Sequence, residues 1–357
     1  MKTHHKPSGG RAPQGMRAFY LLWLGQFVSI FASRMTWFAI TLWAWDLTGS
    51  ATALVLVGVA SFLPGAILSP FIGALVDRWN RKLVLALSDA ASALGTFFLL
   101  LLFVFDQAQI WHLYAVGVFS GIFGAFQYPA YASVITTMVP KEQYARANSM
   151  RSVIQSASGI GAPLLAGAVL NLIELQGILL IDLGTFFFAL GILAVLNIPQ
   201  PERSAQRSKV SGIWQETVAG FRYIFARESL MAILLLFTVS NIASAFSYPM
   251  MDPMILAKTG DDAVILGSVR SISSAGFLAG GLLMTLWGGP KRRIHGVILS
   301  FILEGFLGAF VFGAGWSLSF WLAGAFFLSM FNPIINSCYI ASCRPRSHRM
   351  CRAAFSE

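Results

Sequence analysis

Charge is scarce in this sequence. Asp, Glu, Lys and Arg make up 11% of its 357 residues, where a water-soluble globule carries roughly 25%. A mean hydropathy of +0.69 agrees with that deficit. A soluble domain is thereby excluded, which leaves a polytopic membrane protein. Cysteine is scarcer still: Cys338, Cys343 and Cys351 all fall in the last 20 residues, so the body of the chain uses neither disulfides nor thiolate metal sites. Together with His348 they fit no standard zinc spacing. Histidine is read as a loop or tail residue, at His4, His5, His112, His295 and His348, with His112 and His295 at the very starts of apolar runs. An intramembrane enzyme would need a converging base, nucleophile or metal ligands, and none is offered. No cofactor and no metal are expected.

What is present is apolar length. A hydrocarbon core about 30 Å thick takes roughly 20 helical residues. Ten such runs are predicted: 19–45, 53–75, 83–105, 111–136, 152–172, 177–198, 230–251, 264–287, 294–312 and 318–341. The first is about twice the length of a signal-peptide core and is retained as a helix. The net charge of +10 suggests nucleic acid at first sight, but the basic residues sit in short loops between the runs, so it is a topology signal instead. Of the 25 Lys and Arg residues, 22 fall on one side of the alternation, and the opposite loops hold only Lys258. By the positive-inside rule both termini and the loop at 73–82 are cytoplasmic, and the expected location is the plasma (inner) membrane. Arg34 and Arg270 are the two that fall inside runs.

The stretch 199–228 carries Pro, Ser, Gln and most of its side's charge, and reads as a linker between two halves. The predicted organisation is an N-terminal tail at 1–18, a six-helix half at 19–198, that linker, an incomplete half at 229–341 with four helices, and an aberrant cytoplasmic tail at 342–357. The halves repeat each other. A shift of 211 residues lays Ser29 on Ser240, Ala32 on Ala243, Ser33 on Ser244, Thr48 on Thr259, Gly49 on Gly260, Arg81 on Arg292 and Lys82 on Arg293. It also superposes the first run on the seventh, which marks a parallel repeat about an axis along the membrane normal.

Between the second and third runs stands Gly73-Ala74-Leu75-Val76-Asp77-Arg78-Trp79-Asn80-Arg81-Lys82. It resembles the loop between the second and third helices of the major facilitator superfamily, Gly-x-Leu-x-Asp-Arg-x-Gly-Arg-Lys, with Asn80 in place of glycine. The resemblance implies an all-α integral membrane protein of the major facilitator fold, two pseudo-symmetric helical halves, about ten transmembrane helices here where twelve are expected. It also implies that Gly73, Asp77, Arg78, Arg81 and Lys82 form a gating latch. The second copy, Gly288 to Arg293, lacks the acid, so the latch is expected on one side. In the fifth run, Ser158-Gly159-Ile160-Gly161-Ala162-Pro163 through Gly167 is similar to the small-residue motif of drug:proton antiporters, with Gly161, Pro163 and Gly167 as the helix-packing positions. Ordinary helix packing reads the same residues as well. The Arg typical of the fourth span in proton antiporters is absent, since 117–134 has no basic residue.

Ionisable groups inside a bilayer are costly and point to function. Glu304 lies ten residues from the end of its run, about 15 Å deep at the helical rise. Glu304 and Asp89 are the proton-coupling candidates, while Asp182 and Arg270 are placed as charges in the outer third. Arg34 and Trp37 in the first run, with Asn241 and Tyr248 in the seventh, are the candidate cavity residues. These two repeat-related spans line the cavity in the family, and stacking with a few hydrogen bonds suits an amphipathic ligand. Pro129 and Pro333 break repeat partners, the fourth and tenth runs.

Ser33-Arg34-Met35-Thr36-Trp37-Phe38 with Leu47-Thr48-Gly49-Ser50, and Val139-Pro140-Lys141-Glu142-Gln143 leading to Arg146-Ala147-Asn148-Ser149-Met150, are similar to the macrolide-efflux and enterobactin-exporter branch of that superfamily. The resemblance implies a monomeric secondary transporter that exports a small amphipathic substrate (drug, macrolide or siderophore-like) by alternating access in the lipid bilayer, coupled to H+, with no nucleic-acid partner. The branch has twelve spans, so the basic tail after Ala341 is expected to come from a frameshift. The rival expectation is a truncated, non-transporting membrane fragment.

Overall fold

A computed structural model of the chain describes residues 15–196, 198, 228–287, 290, 293–315 and 317–343. Of the expected linker at 199–228 and tail at 342–357, residues 199–227 and 344–357 lie outside the described residues, while Glu228, Ser342 and Cys343 belong to helices. The side chains of Asp77 and Arg78 and the surroundings of Gly73 also lie outside the described residues. The described elements are helices: α1 (Gly15–Thr48), α2 (Ala51–Arg78), α3 (Arg81–Val104), α4 (Ile110–Met138), α5 (Tyr144–Val195), α6 (Glu228–Thr259), α7 (Ala263–Trp287), α8 (Arg293–Leu303) and α9 (Leu318–Cys343). Helix α8 continues as a π-helix, Glu304–Phe310, and a last turn, Val311–Ala314.

Among the described residues eight helices are long and apolar enough to cross a membrane. Helix α5 holds two of the predicted runs, because its 52 residues are broken at Glu174, where φ is 55° and ψ is 178°. The seventh run falls in α6. All ten predicted runs therefore lie on described helices. The sixth ends earlier than expected, at Val195 instead of Ile198, with Leu196 already extended. Pro199 and Pro201 follow closely and favour that exit.

The described residues divide into two compact units. The first holds α1 to α5 with Pro253–Ala263, and the second holds α6 up to Asp252, then Val264 onward. In the first unit α1 lies against both arms of α5. Trp23 donates to the Met150 carbonyl at 2.8 Å, and Gly25 faces Ala189 and Ile192 across the contact. Helix α2 approaches α4 through Gly121, where an added Cβ would stand 2.2 Å from the Ser61 carbonyl oxygen. The core, built from Phe19, Leu22, Ile72, Val76, Leu85, Val134, Met138 and Leu193 among others, gathers at the basic end. In the second unit α7 meets α9 through Gly276 and Gly280, beside a Ser273–Ser329 hydroxyl pair at 2.5 Å. Close approach through small residues is how helices associate in lipid, where apolar burial gives no net drive. The outward surfaces match: Phe97, Phe187 and Leu286 are exposed, as suits side chains that face hydrocarbon.

The repeat is visible in local geometry. Gly49 and Gly260 both take positive φ, 55° and 66°, a region glycine enters without the steric cost other residues bear. The residue before each, Thr48 or Thr259, turns its hydroxyl back onto the carbonyl four residues earlier, Ala44 or Ile255.

Asn80, the departure from the family loop, caps α3: its Oδ1 accepts from the backbone N–H of Lys82 at 3.0 Å and Leu83 at 3.2 Å. Asn80→Ala is expected to cost about 1 kcal/mol, and Asn80→Gly only a few tenths. Thermal melting of the purified variants checks the order, and equal losses would remove the cap from the account.

Candidate functional site: a cavity in the first unit

A cavity of about 730 Å³ lies within the first unit, inside the usual range for small-molecule sites of roughly 300–1,000 Å³. Serines line it from α1, α2, α3 and α4, at Ser29, Ser33, Ser61, Ser92 and Ser120, and Trp37, Phe62 and Phe186 supply aromatic wall. Its charged lining residues are Arg34, Asp89 and Asp182. Arg34 and Trp37 thus share this cavity with both carboxylates, although the sequence placed Asp182 apart from the cavity.

Asp89 is buried on α3. Its Oδ2 accepts from the Gln26 amide of α1 at 2.7 Å, and its Oδ1 from the Gln127 amide of α4 at 2.8 Å. Three helices converge on one carboxylate. Asp182 is equally buried in the second arm of α5, where it accepts from Ser33 on α1 at 2.8 Å and Thr96 on α3 at 3.0 Å. Asp89 and Thr96 are seven residues apart, which at the helical rise sets the two acids about 10 Å apart along α3. Arg34 reaches neither; its guanidinium donates to Gln155 Oε1 at 2.5 Å.

In the second unit, Tyr248 on α6 donates to Glu304 Oε1 at 3.4 Å, joining a predicted cavity residue to a predicted coupling residue. Asn241 precedes Tyr248 by seven residues and so shares its helix face. Glu304 opens the π-helical stretch, a widened turn that recurs at functional positions. Arg270 pairs with Asp252, which also accepts its hydrogen bond.

The loop residues pin helix ends. Arg81 donates to the Ser133 carbonyl near the end of α4 at 2.9 Å. Lys82 Nζ donates to the Ala194 and Leu196 carbonyls at 2.9 and 2.8 Å. A cation there meets unpaired carbonyls and the negative end of the helix dipole. In α5 the small-residue face of Ser158, Ala162, Ala166 and Gly167 is buried. Gly161 meets the Phe31 ring, with an added Cβ 2.8 Å from it, and Pro163 sits inside the helix.

Sequence reasoning passed over Gln26, Gln127, Thr96, Gln155 and Asp252. Each is a polar residue in an apolar run or, for Asp252, one residue past its end, and its partner lies 18 to 121 residues away. Rare polar residues in membrane spans are the signal that could have found them. Among the described residues no group of three or more His, Cys, Asp or Glu side chains gathers to hold a metal, and His112 Nδ1 is taken up by the Gln109 N–H at the start of α4.

Apolar exteriors, membrane-length helices and a ligand-sized cavity with hydroxyl, guanidinium and carboxylate groups in its lining are the features of a membrane transporter. The chain belongs to the Major Facilitator Superfamily, which matches residues 22–350. It is 30% identical over 293 residues to macrolide efflux protein A of Streptococcus pyogenes, covering 80% of this chain and 71% of that protein. It is 23% identical over 324 residues to the enterobactin exporter EntS of Shigella dysenteriae serotype 1, covering 88% of this chain and 73% of that one. In fold it is similar to a bacterial homolog of the human lysosomal transporter Spinster, with a TM-score of 0.66 at 17% identity over 97% of this chain and 79% of that one. A bacterial homologue of the iron transporter ferroportin gives 0.60 at 15% identity, over 95% and 87%. The chain is a multi-pass secondary transporter.

Proposed function

We propose that this transporter exports a small amphipathic molecule of the macrolide or siderophore-like kind by alternating access, driven by H+. The cavity of the first unit carries the reading. Its aromatic wall stacks against apolar surface, Arg34 and the serines supply hydrogen bonds, and its volume takes one ligand. Efflux by the 30% identical relative supports the direction of transport. Arg34 and Trp37 contact the substrate at this cavity, Asn241 and Tyr248 are their proposed counterparts in the second unit, and Glu304 and Asp89 carry the coupling proton. Gly73, Asp77, Arg78, Arg81 and Lys82 act as the gate, and Gly161, Pro163 and Gly167 hold the fifth span to its neighbours. The chain works as a monomer in the plasma membrane with both termini in the cytoplasm, the side its Lys and Arg favour. Its N-terminal half is 19–198 and the second half follows the linker at 199–228.

The test is accumulation of a fluorescent amphipathic compound in cells expressing the chain, with and without an imposed proton gradient. Expression is expected to lower accumulation. Glu304→Gln keeps an acceptor for the Tyr248 hydroxyl but cannot exchange a proton, so it should insert normally and lose the response to the gradient. Accumulation equal to that of empty cells rejects the exporter. An unchanged gradient response in Glu304→Gln rejects that coupling residue.

A further inference from the structure

We infer that Asp182, Ser33, Thr36 and Thr96 form a sodium-binding site in the first unit. Four oxygen-bearing side chains from α1, α3 and α5 meet at the wall of the cavity. The carboxylate carries a single negative charge, and Ser33, Thr36 and Thr96 bring neutral hydroxyls. A hard cation takes such an all-oxygen set. One carboxylate balances one positive charge and would leave a divalent ion undercompensated.

Two observations single the place out. Among the described residues no basic side chain lies within ion-pair distance of Asp182, although the residue is 5% exposed. The cavity's one basic lining residue, Arg34, is turned onto Gln155. A buried carboxylate without a countercharge is costly. The second observation is Thr36. It is 3% exposed and its Oγ1 faces the Asp182 carboxylate, which makes it the third hydroxyl turned on that one acid beside Ser33 and Thr96. A small cation seated among the four groups offsets the unbalanced charge, and each hydroxyl keeps a lone pair to offer it while donating to the carboxylate.

Asp89 offers a different chemistry a few turns away. Both its oxygens are held by amide N–H groups, which oppose a cation, whereas the hydroxyls around Asp182 can rotate to present lone pairs. Sodium therefore belongs at Asp182 and not at Asp89. The inference deepens the transporter reading by naming a second coupling ion, but binding can be measured without transport.

The experiment is thermal melting of the purified full chain in lipid nanodiscs at fixed pH and ionic strength, in sodium, potassium or choline chloride. A saturable rise specific to sodium is expected. Asp182→Asn should remove it. Thr36→Val, which leaves the Ser33 and Thr96 bonds in place, should weaken apparent sodium affinity by about tenfold, and Thr36→Ser should restore it. If Asp182→Asn does not fold, the Thr36 pair decides alone. Equal curves in all three salts, meaning water or a proton only, would overturn the site, as would a sodium shift that survives both Asp182→Asn and Thr36→Val. Substrate export on a proton gradient without any sodium response removes the sodium site and leaves the exporter standing. Sodium-specific stabilisation without export does the reverse.

Discussion

Gly280→Ala is expected to abolish stable protein, while Gly281→Ala, one residue along the same helix, should be tolerated or slightly stabilising. A Cβ on Gly280 would stand 1.9 Å from the Met330 carbonyl oxygen, and one on Gly281 would meet nothing within 4 Å. Overpacking a core with side chains that can yield costs about 1–3 kcal/mol. Here the obstacle is the backbone of α9, which can retreat only by parting the two helices, so the loss should exceed that range. At Gly281 the lower backbone entropy of alanine in a helix is worth roughly 0.5–1 kcal/mol in the stabilising direction. The first unit carries the same experiment. Gly121→Ala places a Cβ 2.2 Å from the Ser61 carbonyl oxygen, while Gly124, one turn on, is open. Size-exclusion profiles and melting temperatures of the four purified variants test this. Equal behaviour within either pair would mean that these helices are not held at the observed distance.

The second large effect is at Asp89. Asp89→Leu leaves the Gln26 and Gln127 amides facing a side chain that accepts nothing. Gln26 is 2% exposed. Each unsatisfied buried donor costs about 1–3 kcal/mol, so the single variant should be strongly destabilised, and transport and stability should fall together. The combined replacement of Gln26, Asp89 and Gln127 by leucine removes every member of the cluster. It should recover much of the stability, because replacing all partners by apolar groups can be nearly neutral. If Asp89 carries a coupling proton, the triple variant folds and still fails to export. Export at the original rate by a folded triple variant would reduce Asp89 to a structural tie between α1, α3 and α4.

How much of this was legible before the structure depends on the range of the physics. The ten apolar runs were readable because lipid imposes one rule on every stretch that crosses it: the backbone must satisfy itself within the helix. The repeat was readable because it is written in local turn chemistry, with Thr48-Gly49 and Thr259-Gly260 taking the same conformation. Of the candidate site, Arg34, Trp37, Asp89, Asp182 and Glu304 could be picked out one at a time as polar or aromatic residues in apolar surroundings. Their partners could not. Nothing in the chain near Asp182 announces Thr96, which is 86 residues away.

The function of Asn80 was hidden for a related reason. In the family pattern its place belongs to glycine, and the substitution looked like a departure. The structure shows a side chain that caps α3 where glycine would leave the cap to water.

The sequence alone determined that this is a helical membrane protein with a duplicated plan, since span length, charge alternation and turn residues are local properties of the chain. Tertiary structure decided which polar groups share a cavity, which cation caps which helix end, and that Arg34 engages Gln155 while Asp182 collects hydroxyls. Those pairings join residues on different helices, and only the packing of one helix against another brings them within reach.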